Sequence, residues 1–368
     1  MDFVECSGIG CMVVPDGTPD GTPYVVILLN DNPLRDMPET LNNIKIPIFD
    51  RENFMLILKI YLNSIGYLNI KYRKSGDNKG DTIYSGDKKI GFLTKKGSGA
   101  NAIVMKINFF YSNSSIAIKI GKKSDILIEH QFLTTLNKSK SQNIIRSLSP
   151  CIIHNNLAAI IMPCCDTDLA CLIGSQEFYS LKKYHVKFIL FNIFKGLEHV
   201  HGLDIIHCDL KPANILFNRN PVDCAIADFG LAVLASKRHL KPHVYTRYYR
   251  APEVIYCSGY SLPADIWSVG CIIYELVTGD VLFPGHPCGN LSPSADQRAG
   301  PIPLYVKGGV YDLITEEEKT HKALSKLAKM KNSNLYLLDL FTRCIKINPA
   351  ERITAEEALS HPYFTRNP

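Results

Sequence analysis

From about Lys88 the chain changes its hydrophobic pattern, and that change limits its architecture more than any other feature. Short β-branched runs, Ile103 to Ile107 and Ile116 to Ile120, come first; after residue 180 long amphipathic stretches with few strands follow. Strands first and helices later predict an α+β fold of two lobes, a small β-rich lobe and a larger, mainly helical one. A cleft between two such lobes is a common place for a ligand. The 368 residues suffice for one large or two modest domains, and a composition of 46% hydrophobic and 21% charged residues excludes general disorder.

The segment before Lys88 reads as a folded N-terminal extension, residues 1–87, without a chemical motif. Apolar runs Cys11 to Val14 and Tyr24 to Leu29 flank a doubled Pro-Asp-Gly-Thr sequence, the pattern of a hairpin. Asp50 can cap a helix with apolar positions Phe54, Leu56, Ile57, Ile60, Tyr61 and Ile65, ended by Gly66. The polar stretch Lys74 to Gly86, with its glycines, reads as a linker.

The longest uncharged run, Ser147 to Cys165, contains Pro150, His154, Asn155 and Asn156, so it reads as buried core rather than a membrane span. The start, Met1 to Glu5, has neither the basic residues nor the apolar run of a secretory signal, Asp2 stands where myristoylation needs glycine, and the end carries no prenylation cysteine. No membrane association is expected. Twelve cysteines spread through the chain read as reduced core thiols, which implies a reducing compartment, cytoplasm or nucleus. Cys164 and Cys165 have no second Cys/His pair at zinc-site spacing nearby. A net charge of +6 is mild for this size, and no nucleic-acid partner is expected.

Gly97-Ser98-Gly99-Ala100-Asn101-Ala102-Ile103-Val104 is the first chemical signal: small residues let backbone N–H groups approach phosphate oxygens. A lone Gly-X-Gly is more often a turn, and Ala102 stands where a third glycine would be expected. Lys119 follows in the apolar strand Ile116-Ala117-Ile118-Lys119. A lysine pointing inward there needs a phosphate or carboxylate partner, whereas one with its head in water needs none.

Three sequences then occur in order: His207-Cys208-Asp209-Leu210-Lys211-Pro212-Ala213-Asn214, Asp228-Phe229-Gly230 and Ala251-Pro252-Glu253. With the Gly-rich strand before them, they resemble the eukaryotic protein kinase family from about Lys88 to Phe364. The resemblance implies a kinase domain over 88–364, with a small lobe at 88–162, a hinge at 163–168 and a large lobe at 169–364. Arg250, together with Asp265-Ile266-Trp267-Ser268-Val269-Gly270 and Leu282-Phe283-Pro284-Gly285, resembles the branch of cyclin-dependent and mitogen-activated kinases. The Asn- and Ile-rich pattern also looks like kinases of large DNA viruses.

Phosphoryl transfer gains mostly from positioning and charge stabilisation. By resemblance, Asp209 accepts or orients the hydroxyl proton and Lys211 neutralises charge on the transferred group, a lysine similar to that of serine/threonine kinases. Asn214 and Asp228 supply hard oxygens for Mg²⁺, which accompanies ATP. Glu129 resembles the glutamate that pairs with Lys119; Asp125, one helical turn earlier, is its rival. The short span between Lys119 and Glu129 implies a helix shortened at its start, against a cyclin-type partner. Met162 resembles the gatekeeper, and backbone groups of Pro163 and Cys165 would meet adenine. Gly97, Ser98, Gly99, Ala100, Val104 and Ala117 complete the implied ATP-binding set. Arg352 resembles the structural arginine that pairs with Glu253.

The chain departs from the family at Cys208, where an arginine that grips a phosphate on the activation segment usually stands. Between Gly230 and Tyr245 the only hydroxyl residue is Ser236, while Lys237, Arg238, His239, Lys241 and His243 make the segment basic. An active serine/threonine kinase independent of activation-segment phosphorylation is the first expectation, and a catalytically silent scaffold the second. Protein substrates with acidic, phosphorylated or proline-directed acceptor sites would follow from the first. A solvated basic loop without substrate preference is the simpler reading of the segment.

Overall fold

The computed structural model describes residues 3–6, 9–14, 24–28, 51–73, 81–98, 102–110, 115–139, 141–219, 222–236, 244–255, 259–283, 324–329 and 334–366. The chain forms two compact units, one of Met1–Lys138 with Ile145–Cys164, the other of Ser139–Ile144 with Cys165–Pro368.

The first unit is built on one ten-stranded sheet. Its elements are β1 (Phe3–Cys6), β2 (Ile9–Val14), β3 (Tyr24–Leu28), α1 (Arg51–Ser64), β4 (Ile70–Arg73), β5 (Asp81–Ser85), β6 (Lys88–Ser98), β7 (Ala102–Phe109), β8 (Ser115–Lys122), α2 (Lys123–Asn137), β9 (Ile152–His154) and β10 (Leu157–Pro163). The strand order is β1-β2-β3-β9-β10-β8-β7-β6-β5-β4. β2 and β3 pair antiparallel, as the two apolar runs imply, and β3 joins the sheet through a parallel pairing with β9. The connection between β2 and β3, the capping Asp50, and Gly99 and Ala100 lie outside the described residues.

Strand alternation gives the sheet two different faces. Ile103, Met105 and Ile107 of β7, Ile116, Ile118 and Ile120 of β8, and Ile161 of β10 join one buried cluster, and Met55, Ile57, Leu58 and Leu62 of α1 belong to it. The helix is therefore more deeply buried than the spacing of its apolar residues suggests, with Met55, Leu58 and Leu62 inside and Ile65, past its end, exposed. Gly66 turns the chain out of the helix with a φ of 93°.

Two readings are corrected. The stretch 74–86 is not a linker throughout: Asp81–Ser85 is a strand between β4 and β6, with Asp81, Thr82 and Ile83 buried. β-Branched Thr82 and Ile83 favour the strand, and Gly86, at a φ of 59°, marks its hairpin turn to β6. The uncharged run 147–165 is buried only from Cys151; Leu148 is 48% exposed, and Asn155-Asn156 forms the turn between β9 and β10.

In the second unit, β11 (Thr167–Asp168) leads into α3 (Leu169–Ile173), whose first turn is capped by the Asp168 carboxylate accepting from Cys171 N at 2.8 Å. The long α4 (Lys183–His201) is followed by β12 (Ile205–Ile206), β13 (Ile215–Arg219), β14 (Val222–Ile226) and β15 (Val233–Leu234). β11, β13 and β14 form one small sheet, β12 and β15 another. After α5 (Pro252–Ile255) comes α6 (Pro263–Thr278), which is apolar around nearly its whole circumference and buried accordingly. A side chain at Gly270 would collide with Ile345 and Cys344, so this glycine lets the end of helix Leu335–Cys344 approach α6 closely.

Arg352 makes the anticipated pair with Glu253 as a bidentate fork of 2.6 and 2.8 Å. The guanidinium also donates to the carbonyls of Pro263, Lys346 and Ile347 and lies 5.1 Å from the centre of the Trp267 ring. The buried charge is thus fully enclosed by acceptors, which ties α5, the start of α6 and the C-terminal segment together.

The extension helix is integral to the first unit's core, and this is open to test. Leu58→Ala removes a fully buried side chain and should cost about 2–5 kcal/mol of stability, read by chemical denaturation. An extension merely appended to the surface would leave the transition unchanged.

Candidate active site

The sheet face opposite α1 carries the residues implicated in nucleotide binding. Lys119 in β8 pairs across to Val104 in β7 and Ile160 in β10, and Ala117 pairs across to Met162. Gly97 lies opposite Val104. Cross-strand partners share a face, so Gly97, Val104, Ala117, Lys119 and Met162 all lie on this one. Ser98 pairs with Ile103, and its backbone ends β6.

Lys119 is held by an ion pair, Nζ to Glu129 Oε2 at 2.6 Å, with the side chains 13% and 2% exposed. Asp125 instead accepts a hydrogen bond from Ser124 Oγ, so the alternative partner is set aside. α2 starts at Lys123, directly after β8 ends at Lys122, which places Glu129 two turns into the helix. Burial, ahead of the nearby Glu129 charge, pushes the Cys151 thiol up to about 12, the behaviour of an inert core cysteine. Pro163 is the last residue of β10, opposite Ile116, and Cys165, in the second unit, is buried.

In the second unit the segment between β12 and β13 brings three predicted residues together, Asp209, Lys211 and Asn214. Asp209 Oδ2 accepts from Lys211 Nζ at 2.6 Å and from Asn214 Nδ2 at 3.2 Å. Its Oδ1 accepts from Thr246 N at 2.9 Å and from Thr246 Oγ1 at 2.7 Å, and Lys211 Nζ also donates to Thr246 Oγ1 at 2.9 Å. Both carboxylate oxygens are thus fixed in direction while Lys211 stays partly exposed.

Asn214 also donates from Nδ2 to Asp209 O at 2.8 Å. Its amide nitrogen is committed to Asp209, which leaves Oδ1 as the donor atom for a cation. Asn214 O accepts from Ala227 N at 2.9 Å, and this backbone bond places Asp228 beside it. An amide oxygen and a carboxylate are hard ligands, so the pair fits Mg²⁺. Asp228 takes a φ of 66°, and Phe229 after it is fully buried, its ring edge-to-face with His207 at 4.7 Å.

His207 has a single workable tautomer. Its Nδ1 accepts from Asp209 N at 3.1 Å, so the proton sits on Nε2, which donates to Ala227 O at 3.0 Å. The ring thereby links the Asp209 loop to the strand that delivers Asp228.

One carboxylate orders the loop from beneath. Asp265, fully buried in the first turn of α6, accepts from His201 Nε2 (3.1 Å), His207 N (2.8 Å), Cys208 N (3.1 Å) and Tyr245 OH (2.9 Å). Burial works to raise its pKa, but the hydrogen bond from His201 and the electrostatic pull of His201 and His207 outweigh it and leave the group below the ordinary carboxylate range.

Sequence reasoning did not single out Thr246, Asp265 or His201 as site residues. Thr246 stands 37 positions from Asp209 in the chain and Asp265 58 from His207, so no local spacing reveals either. Ser236 is exposed, and the basic residues from Lys237 to His243 lie outside the described residues.

The protein kinase domain family matches residues 91–364. A stress-activated protein kinase JNK from Suberites domuncula is 32% identical over 318 residues, covering 78% of this chain and 85% of its own. The mitogen-activated protein kinase hog-1 of Neurospora crassa is 35% identical, covering 74% of this chain and 77% of its own. Mitogen-activated protein kinase 4a of Physcomitrium patens is 32% identical, over 73% and 75%. With these similarities added to the motifs, the two units and the ordered Asp209 loop, the chain belongs to the eukaryotic protein kinase family, close to its mitogen-activated branch.

Proposed function

We propose that this chain catalyses transfer of the γ-phosphate of Mg-ATP to serine or threonine hydroxyls of proteins, and that it does so without phosphorylation of its activation segment. The observation that carries the reading is the Asp209 carboxylate, held through both oxygens by Thr246, Lys211 and Asn214. Such a group can orient an incoming hydroxyl and take its proton. Lys211, next to it, offers a cation to the phosphoryl group in transit. Lys119, aligned by Glu129, offers its ammonium to the nucleotide phosphates. Asn214 and Asp228 would hold the metal, which when bound neutralises charge on the phosphates.

Independence from activation-segment phosphorylation is supported by Cys208, whose buried, uncharged side chain offers no grip to a phosphate. The basic residues of the segment favour acidic or phosphorylated sequences around the acceptor, and the likeness to mitogen-activated kinases favours a proline after it.

Transfer of labelled γ-phosphate to an acidic and a basic generic protein tests the reading. Asp209→Asn should lower turnover about 10²–10⁴-fold, or about 3–5 kcal/mol of transition-state stabilisation. Mg-ATP binding without any transfer by the wild-type chain would point instead to a silent scaffold. Phosphatase treatment of the purified chain should leave turnover unchanged; a loss on treatment would contradict phosphorylation-independence.

A further inference from the structure

Two unusual residues, Cys208 and Tyr245, are each other's neighbours. Tyr245 N donates to Cys208 O at 2.8 Å, and Tyr245 OH and Cys208 N both donate to Asp265 Oδ1, at 2.9 and 3.1 Å. The rings of Tyr245 and Tyr260 lie edge-to-face at 6.1 Å. Cys208 is 0% exposed and Tyr245 3%. Both side chains are buried, so the longer, charged side chain of an arginine at 208 would have to be accommodated at the expense of its neighbours.

Both residues adopt the left-handed backbone conformation, with φ of 64° for Cys208 and 65° for Tyr245. Non-glycine residues stay there only where their surroundings over-determine the geometry. Here the surroundings do so: Asp265 holds Cys208 N, Cys208 O holds Tyr245 N, and Arg250 Nη2 donates to Tyr245 O at 2.9 Å. Arg250 Nε adds a bond to Val244 O at 3.0 Å. Burial first, then the Asp265 charge, raises the Tyr245 hydroxyl well above its ordinary pKa, which keeps it a donor.

The next residue on each strand of this knot is part of the site. Asp209 follows Cys208, Thr246 follows Tyr245, and the two bond to each other twice.

We propose that Tyr245 is a positioning residue: through Asp265 and Cys208 it ties the end of the activation segment to the Asp209 loop, a permanent tie where a phosphate and an arginine would otherwise make a switchable one. The proposal rests on the phosphotransfer reading above, and deepens it by naming what replaces the phosphate.

Tyr245→Phe in the full chain removes one hydroxyl and keeps the ring. Amide hydrogen exchange should quicken over residues 207–209 and 244–246, because the segments lose a shared anchor. Turnover should fall about 10-fold or more, the loss of one hydrogen bond to a buried charge. KM for ATP should stay unchanged, since Lys119 and Glu129 are untouched; a general loss of folding would move both constants. Cys208→Arg should likewise quicken exchange over the same residues and lower turnover, since a long charged side chain must enter a fully buried position.

Unchanged exchange in Tyr245→Phe overturns the proposal, as does quickened exchange with unchanged turnover. A wild-type chain that transfers no phosphate overturns the phosphotransfer reading and with it the positioning role, while the exchange comparison still decides whether the tie exists.

Discussion

A buried carboxylate, that of Asp265, is the interaction on which the second unit's site depends. It sits in the first turn of α6, a helix enclosed on nearly all sides, and it gathers His201, His207 N, Cys208 N and Tyr245 OH around two oxygens. An ionised carboxylate without partners would be costly at that depth; with four donors it becomes a rigid centre. From it the order spreads outward: His207 fixes Asp209 N and the strand before Asp228, and Tyr245 fixes Thr246, which in turn fixes Asp209 Oδ1. The Asp209 carboxylate is thus aimed by its neighbours' bonds, and Asp265 holds the residues that precede two of the partners in those bonds, Cys208 before Asp209 and Tyr245 before Thr246.

The first unit uses a different device. Its sheet separates two tasks by alternation along β7, β8 and β10, with isoleucines on one face and the Lys119–Glu129 pair on the other. The apolar face needs a cover, and α1 from the N-terminal extension belongs to the cluster that provides it. Ile118 and Ile120, which flank Lys119 in β8, are buried in that cluster together with the helix of the extension. Residues 55–62 thus share a buried core with the strand that carries Lys119, although no chemical motif lies in them.

Much of this was legible from residue order. Three motifs in series identified the family, and the strand lysine, its glutamate and the Arg352–Glu253 fork stand where the motifs imply. Legibility ended where partners are far apart in the chain. Asp265 lies in a run read only as a mark of the kinase branch, and nothing local shows that its carboxylate reaches back to His207. Thr246 likewise looks like any hydroxyl before Arg247-Tyr248-Tyr249-Arg250. The strand 81–85 was hidden for another reason: flanking glycines and lysines resemble a linker, and only its pairing with β4 and β6 shows that they frame hairpins. Cys208 was visible as a departure but not its link to Tyr245, because the bonds that join them, directly and through Asp265, exist only in three dimensions.

The central claim, that the buried carboxylate of Asp265 sets the geometry of the Asp209 loop, is tested most directly by Asp265→Asn in the full chain. Amide exchange at His207, Cys208 and Tyr245 is read beside γ-phosphate transfer and Mg-ATP binding. Asparagine keeps the volume but replaces one acceptor oxygen with a donor and removes the charge. The account predicts quickened exchange at all three amides and a fall in turnover of about 100-fold, the loss of about 2.7 kcal/mol of organisation, with Mg-ATP still bound. Unchanged exchange and unchanged turnover would show that the Asp209 loop holds its shape without Asp265 and would contradict the account.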